Sequence, residues 1–162
     1  MNSRSPIQNG GFHRGPVVYH PNAEACAHLG IEFKSKVDLA VEHVRNFEAD
    51  DGQLVYVLFD SGYVSKKLID VCNAKGFHVI AAFKTKRMIY PAEIGIQVAD
   101  FAKTYIRRSD LCSVTAEDRE YKIYEYEGQL SDIENVKALL CWEDGFSPGK
   151  LCLALLGALC RI

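Results

Sequence analysis

Residues 53–87 read "QLVYVLFDSGYVSKKLIDVCNAKGFHVIAAFKTKR", and their pattern decides the fold class. Leu54 to Phe59 is a short, wholly apolar run of aliphatic and aromatic residues, as expected of a strand covered on both faces. Asp60, Ser61 and Gly62 break it. Residues 64–75 follow with Leu68, Ile69, Val71 and Cys72 as a buried stripe, and Lys75-Gly76 supplies a basic last turn and a glycine stop. Phe77 to Phe83 forms the next strand. Strand, helix and strand in about thirty residues make a βαβ unit with two parallel neighbouring strands. Functional groups in open α/β sheets gather beyond the carboxyl ends of strands. Asp60 stands at one such end and Lys84-Thr85-Lys86-Arg87 at the other, so a carboxylate and a basic cluster are expected on one edge of the sheet.

Working outward, Phe33, Val37, Ala40, Val41, Val44 and Phe47 recur at three- and four-residue steps and predict a helix that starts near Ser35 and ends at "EADDG". Residues 1–30 are read as a loosely ordered N-terminal segment, dense in Asn, Ser, Gly and Pro up to Pro21, with a short strand at Val17 to Tyr19. Residues 31–87 are the α/β core. Past Arg87 the helix–strand rhythm is lost: "MIYPAEIGIQVADFA" and "EYKIYEYEGQL" show short alternation, with a strand at Tyr121 to Tyr126 closed by Glu127-Gly128. Residues 88–143 are therefore expected to be a β-rich insertion. Ile133, Val136 and Leu140 also fit a helix, but "VKALLCW" favours a strand.

The last segment, 144–162, contains "LCLALLGALC" at 151–160, about half the ~20 residues that span a bilayer. It is read as a buried helix or strand, or as a tail foreign to the original fold.

At 162 residues one domain is expected, able to bury roughly 70% of the surface exposed on unfolding. A formal charge of -2 gives no global attraction to nucleic acid or anionic lipid, so such a partner must be held by a local patch. Lys84 to Arg108 carries six bases against two acids, and Glu117 to Glu134 seven acids against two bases. The six cysteines contain no Cys-x-x-Cys pair and the N-terminus shows no apolar secretory stretch, which points to a reducing, cytoplasmic setting. His20, Cys26 and His28 match no zinc module in their spacing, and no zinc is expected there.

Four blocks, "FKSKVDLAVEHV", "VYVLFDSGYVSKKLIDVC", "KGFHVIAAFKTKRMIYP" and "YEYEGQLSDIENVKALLCWE", occur in the order found in bacterial insertion-sequence DDE transposases. Over Phe33 to Glu143 the chain resembles the middle of that family's catalytic domain, which implies a partial ribonuclease H-like fold. The resemblance implies metal-dependent DNA cleavage and strand transfer in DNA transposition, with Mg²⁺ as cofactor and transposon-end DNA as partner. The family's metal triad is an aspartate on the first strand, an aspartate ending the fourth, and a glutamate on a late helix. Asp60 matches the second, as catalytic and metal-binding residue. The family also places a β-rich insertion between the fifth strand and the glutamate-bearing helix, and often has an aromatic residue where this chain has Gly62.

The ends depart from the family. The first aspartate in the chain is Asp38, inside the predicted helix, and residues 144–162 contain no glutamate. Glu134 and Glu143 precede the position of the late helix. The chain is thus expected to be a truncated fragment, inactive by itself, because one carboxylate cannot hold two cations ~4 Å apart around the attacking and leaving oxygens. A binding alternative keeps phosphate contacts through Lys84, Lys86 and Arg87, with Lys66, Arg107 and Arg108 as further candidates. A third reading is a small α/β module for a phosphate-bearing ligand. It lacks a glycine-rich strand-to-helix loop, and Ser61 lies in no Gly-x-Ser-x-Gly turn. Self-association through exposed apolar edges is also expected.

Overall fold

The computed structural model describes residues 22–143 and 153–158, the latter as backbone, in two compact units, Met1–Ser35 and Lys36–Ile162. In the first, helix α1 (Ala23–His28) forms within the segment read as loosely ordered. Asn22 caps it, its side chain accepting from Ala25 N at 2.7 Å, which satisfies one of the unpaired donors of the first turn. The strand expected at Val17 to Tyr19 lies outside the described residues.

The second unit is a mixed α/β structure built on one eight-stranded sheet. Helix α2 (Lys36–Asn46) occupies the core of the predicted helix, and Val41, in the middle of its apolar stripe, is fully buried. Strand β1 (Tyr56–Phe59) follows, then α3 (Lys66–Ala74), then β2 (His78–Ala82). Ser65 is the N-cap of α3, accepting from Leu68 N at 3.3 Å, and Gly76 just past its end takes φ +72°, the left-handed turn that ends many helices. Leu68, Ile69 and Cys72 are buried and Val71 half-buried, as the stripe requires. β1 and β2 are parallel, with Tyr56 opposite His78 and Phe59 opposite Ala81. The βαβ unit read from the sequence is present.

α3 packs on α2 and β2. Its last turn is fastened to the end of α2 by Lys75 Nζ donating to Arg45 O at 3.0 Å, beside the edge-on ring pair of Phe47 and Phe77 at 5.9 Å. Val55, Val57 and Phe59 face this core, while Leu54, Tyr56 and Leu58 point to the opposite, exposed side. The strand therefore has one covered face, not the two that its continuous apolar run predicts.

Beyond Arg87 the chain is rich in strands: β3 (Met88–Ile89), β4 (Ile96–Gln97), β5 (Cys112–Ala116), β6 (Arg119–Leu130) and β7 (Ile133–Glu143). It also holds a helix that the alternation hid, α4 (Val98–Thr104), whose buried Val98, Phe101 and Ala102 have helical spacing. Residues 133–142 are strand. The predicted closure at Glu127-Gly128 is displaced: β6 runs through it to Leu130 with a register shift between Gly128 and Leu130, and the chain reverses at Ser131-Asp132. Gly128 permits this because its φ of +155° is one that side-chain-bearing residues rarely adopt.

Strand β8 (Leu153–Ala158) lies in the apolar tail and runs antiparallel between β2 and β7. The sheet order is β1-β2-β8-β7-β6-β3-β4, with β5 on the side of β6, and β1–β2 is its one parallel pair among the described residues. The tail thus joins the βαβ unit to the antiparallel strands; its flanks, 144–152 and 159–162, lie outside the described residues.

Candidate functional site

Because β1 and β2 are parallel, their carboxyl ends and the segments that follow them open on the same rim. Asp60 is exposed in the first of these segments. Its Oδ1 accepts from Gly62 N at 2.7 Å and its carbonyl accepts from Tyr63 N at 3.1 Å, so the carboxylate folds over its own turn. Part of its hydrogen-bonding capacity serves the loop, and the rest faces outward.

Lys84 and Lys86 are exposed on the turn after β2, which is closed by Arg87 N donating to Lys84 O at 3.0 Å. Arg87 differs from them. It is half-buried, and its Nη2 donates to the carbonyl of Val64 in the loop that carries Asp60. The two segments of the rim are thereby tied together, and this guanidinium is committed to the protein. The backbone on either side is held as well, by Ala99 N to Thr85 O and Val98 N to Arg87 O, both at 3.0 Å. Of the further bases, Lys66 pairs with Asp70 at 3.1 Å one turn along α3. Asp110 Oδ2 accepts from Arg107 N at 2.8 Å, and Arg107 and Arg108 are exposed.

Lys36 is a member of the rim that the sequence reading missed. Its Nζ lies 5.0 Å from the centre of the Tyr63 ring and 2.6 Å from the point a Cβ on Gly62 would occupy; that point is 3.1 Å from Asp60 Oδ1. An ammonium thus fills the space above Gly62, where the resembled family often carries an aromatic ring. The Lys-Ser-Lys at the start of α2 was the available signal, but its meaning depends on a fold-back contact between residues 36 and 62, which no local pattern encodes.

Among the described residues no three His, Cys, Asp or Glu side chains come together as a cation cage. Glu134 is exposed on β7, three strands along the sheet from β1. At ~4.8 Å per strand that is about 14 Å, too far for two carboxylates to share cations ~4 Å apart. The side chain of Glu143 lies outside the described residues. Among the described residues, the donors around Asp60 do not form a two-cation clamp, and no catalytic step through Mg²⁺ is derived from them. What the rim offers is one carboxylate, three exposed or adjacent ammonium groups at Lys36, Lys84 and Lys86, and an arginine that fixes the loops.

Cys72 is fully buried in α3, and burial pushes its thiol up to about 11, so it is unreactive near neutrality. Cys26 and Cys112 are also free thiols. No described helix is long and apolar enough to cross a membrane. Comparisons with family models, with curated proteins and with solved structures give no match.

Proposed function

We propose that this chain is part of a DDE-type transposase catalytic domain with a ribonuclease H-like core, in which Asp60 is the second metal-binding carboxylate and the companions of Asp60 are not supplied by residues 1–162. The observation that carries the reading is the position of Asp60 at the carboxyl end of β1, in a parallel βαβ unit whose β2 side is filled and whose other side is unpaired among the described residues. A strand-borne aspartate that shares cations ~4 Å apart with Asp60, as the first member of the family's triad does, stands on an adjacent strand, ~4.8 Å away. One neighbour, β2, follows its last residues with bases. The free side of β1 is the place left for a strand ending in aspartate.

The chain by itself has no transposition chemistry on this reading. A single exposed carboxylate neither concentrates two cations nor fixes an in-line geometry, and neighbouring ammonium groups oppose a metal ion rather than replace its ligands. Translating the DNA on both sides of the coding sequence in all frames tests the assignment. An upstream strand ending in Asp and a downstream helix carrying Glu are expected; neither being present contradicts it.

A second reading, a DNA-phosphate contact without chemistry, is favoured by the exposure of Lys84 and Lys86 on the same rim. Such contacts are sequence-tolerant and weaken steeply with salt. Duplex affinity that is unchanged between low and high salt, or that survives neutralising both lysines, rules it out.

A further inference from the structure

We propose that in this chain, where the strand assigned above to the free side of β1 is not supplied, that outer edge is a docking edge for β1 of a second copy, paired antiparallel. Three features of the edge point to association. The run Leu54 to Phe59 contains no charge, proline or glycine, the residues with which natural edge strands are blunted. Its exposed side chains form a patch with the neighbouring strand, Leu54 being 67% exposed, Tyr56 54%, Leu58 70% and Ile80 of β2 40%. No other described strand pairs with this edge. A second copy brings an identical run whose outer backbone groups likewise meet no described strand, and pairing closes both edges at once.

Charge selects the direction. Parallel pairing in register sets the two Asp60 carboxylates on adjacent strands, ~4.8 Å apart, where like charges repel. Antiparallel pairing about a two-fold axis centred on Leu58 keeps the exposed side chains of both copies on one face and puts each Asp60 opposite the other copy's Tyr56, so the carboxylates stand roughly 15 Å apart. It also brings the amino end of one β1 to the carboxyl end of the other. The amino end is preceded by exposed Glu48, Asp50 and Asp51, and the carboxyl end leads into the N-terminus of α3, whose first turn carries Lys66 and Lys67 and no acid. Those lysines already meet Asp70 and Asp38 on their own surface, so the positive end of the helix supplies most of the attraction.

Sedimentation of the full chain across a concentration series, with Mg²⁺ and with EDTA, tests the proposal. A monomer–dimer equilibrium indifferent to both additives is expected, weakened at least about tenfold in Leu58→Lys, where pairing would set two ammonium groups directly opposite each other. Leu58 is mostly exposed, so the substitution leaves the core intact; Leu54→Lys replaces it should Leu58→Lys not fold. In the unmodified protein the outward amides of Tyr56–Phe59 gain hydrogen-exchange protection as concentration rises. A monomer at every concentration overturns the proposal, as does a dimer that survives both lysine substitutions. A dimer that dissolves in EDTA overturns it too, because a divalent cation between paired Asp60 carboxylates marks the parallel arrangement.

Discussion

The guanidinium of Arg87 donates to the carbonyl of Val64, fastening the turn after β2 to the loop after β1 across 23 residues of sequence. A charged donor on a half-buried carbonyl contributes more than an ordinary hydrogen bond, about 1.5–3 kcal/mol. Arg87→Ala is expected to lower stability by roughly that amount, measured by urea unfolding, while Lys84→Ala and Lys86→Ala stay within about 0.5 kcal/mol of the parent. Equal effects at the three positions would remove the distinction between a structural arginine and two surface lysines.

Gly62 does not lie in the left-handed region, and a Cβ there meets the far end of Lys36 and, at 3.1 Å, Asp60 Oδ1, which must give by a few tenths of an ångström. Gly62→Ala should therefore shift the ammonium and change stability by no more than about 1 kcal/mol in either direction, since lost unfolded-state entropy and the displaced contact oppose each other. The Asp60 to Gly62 hydrogen bond, which uses the backbone N–H, persists. Loss of several kcal/mol would show that Lys36 cannot move.

Gly128 behaves oppositely. A Cβ there would lie 2.5 Å from the Tyr126 hydroxyl oxygen, in a backbone conformation already strained for any side chain. That hydroxyl accepts from Tyr90 N at 3.1 Å and donates to Gln129 O at 3.2 Å, pinning the β6 irregularity to the segment after β3. Gly128→Ala is expected to cost about 1–3 kcal/mol, and Tyr126→Phe about 1–2 kcal/mol by orphaning both partners. Their double variant should cost less than the sum, because removing the hydroxyl relieves the closest approach.

Cys72 gives a pH signature. Its folded pKa is raised from 9.0 to about 11 by burial, against a smaller lowering by a backbone hydrogen bond, so the unfolded chain loses this proton first as pH rises. The contribution is fully present below pH 9 and is lost between about 9 and 11, amounting to ~2–3 kcal/mol, since each tenfold change in proton affinity is worth about 1.4 kcal/mol. The difference in unfolding free energy between the parent and Cys72→Ala should shrink over that interval. A constant difference would mean that the thiol ionises alike in both states.

The βαβ unit was legible because its signals are local: an apolar run, a helical stripe at Leu68, Ile69 and Cys72, and a glycine stop at Gly76. The strand at 133–142 was legible from its composition. α4 was not, since its seven residues hold too few turns for the spacing of Val98, Phe101 and Ala102 to stand out among the surrounding alternation. The turn at Ser131-Asp132 was mistaken for Glu127-Gly128 because a glycine serves a bulge as readily as a reversal. The placement of β8 between β2 and β7 is a long-range pairing, invisible to any window. At the rim, the position of Asp60 followed from the strand pattern, whereas the separate duty of Arg87 and the arrival of Lys36 depend on contacts made by the finished fold.

Mg²⁺-dependent nicking of supercoiled DNA, measured for the chain and for Asp60→Asn side by side, bears most directly on the claim that Asp60 is a metal ligand stranded without its companions. Both proteins are expected to leave the DNA intact to the same background. Cleavage by the parent that vanishes in Asp60→Asn would contradict the account, for it would mean that a working set of carboxylates is assembled within these 162 residues.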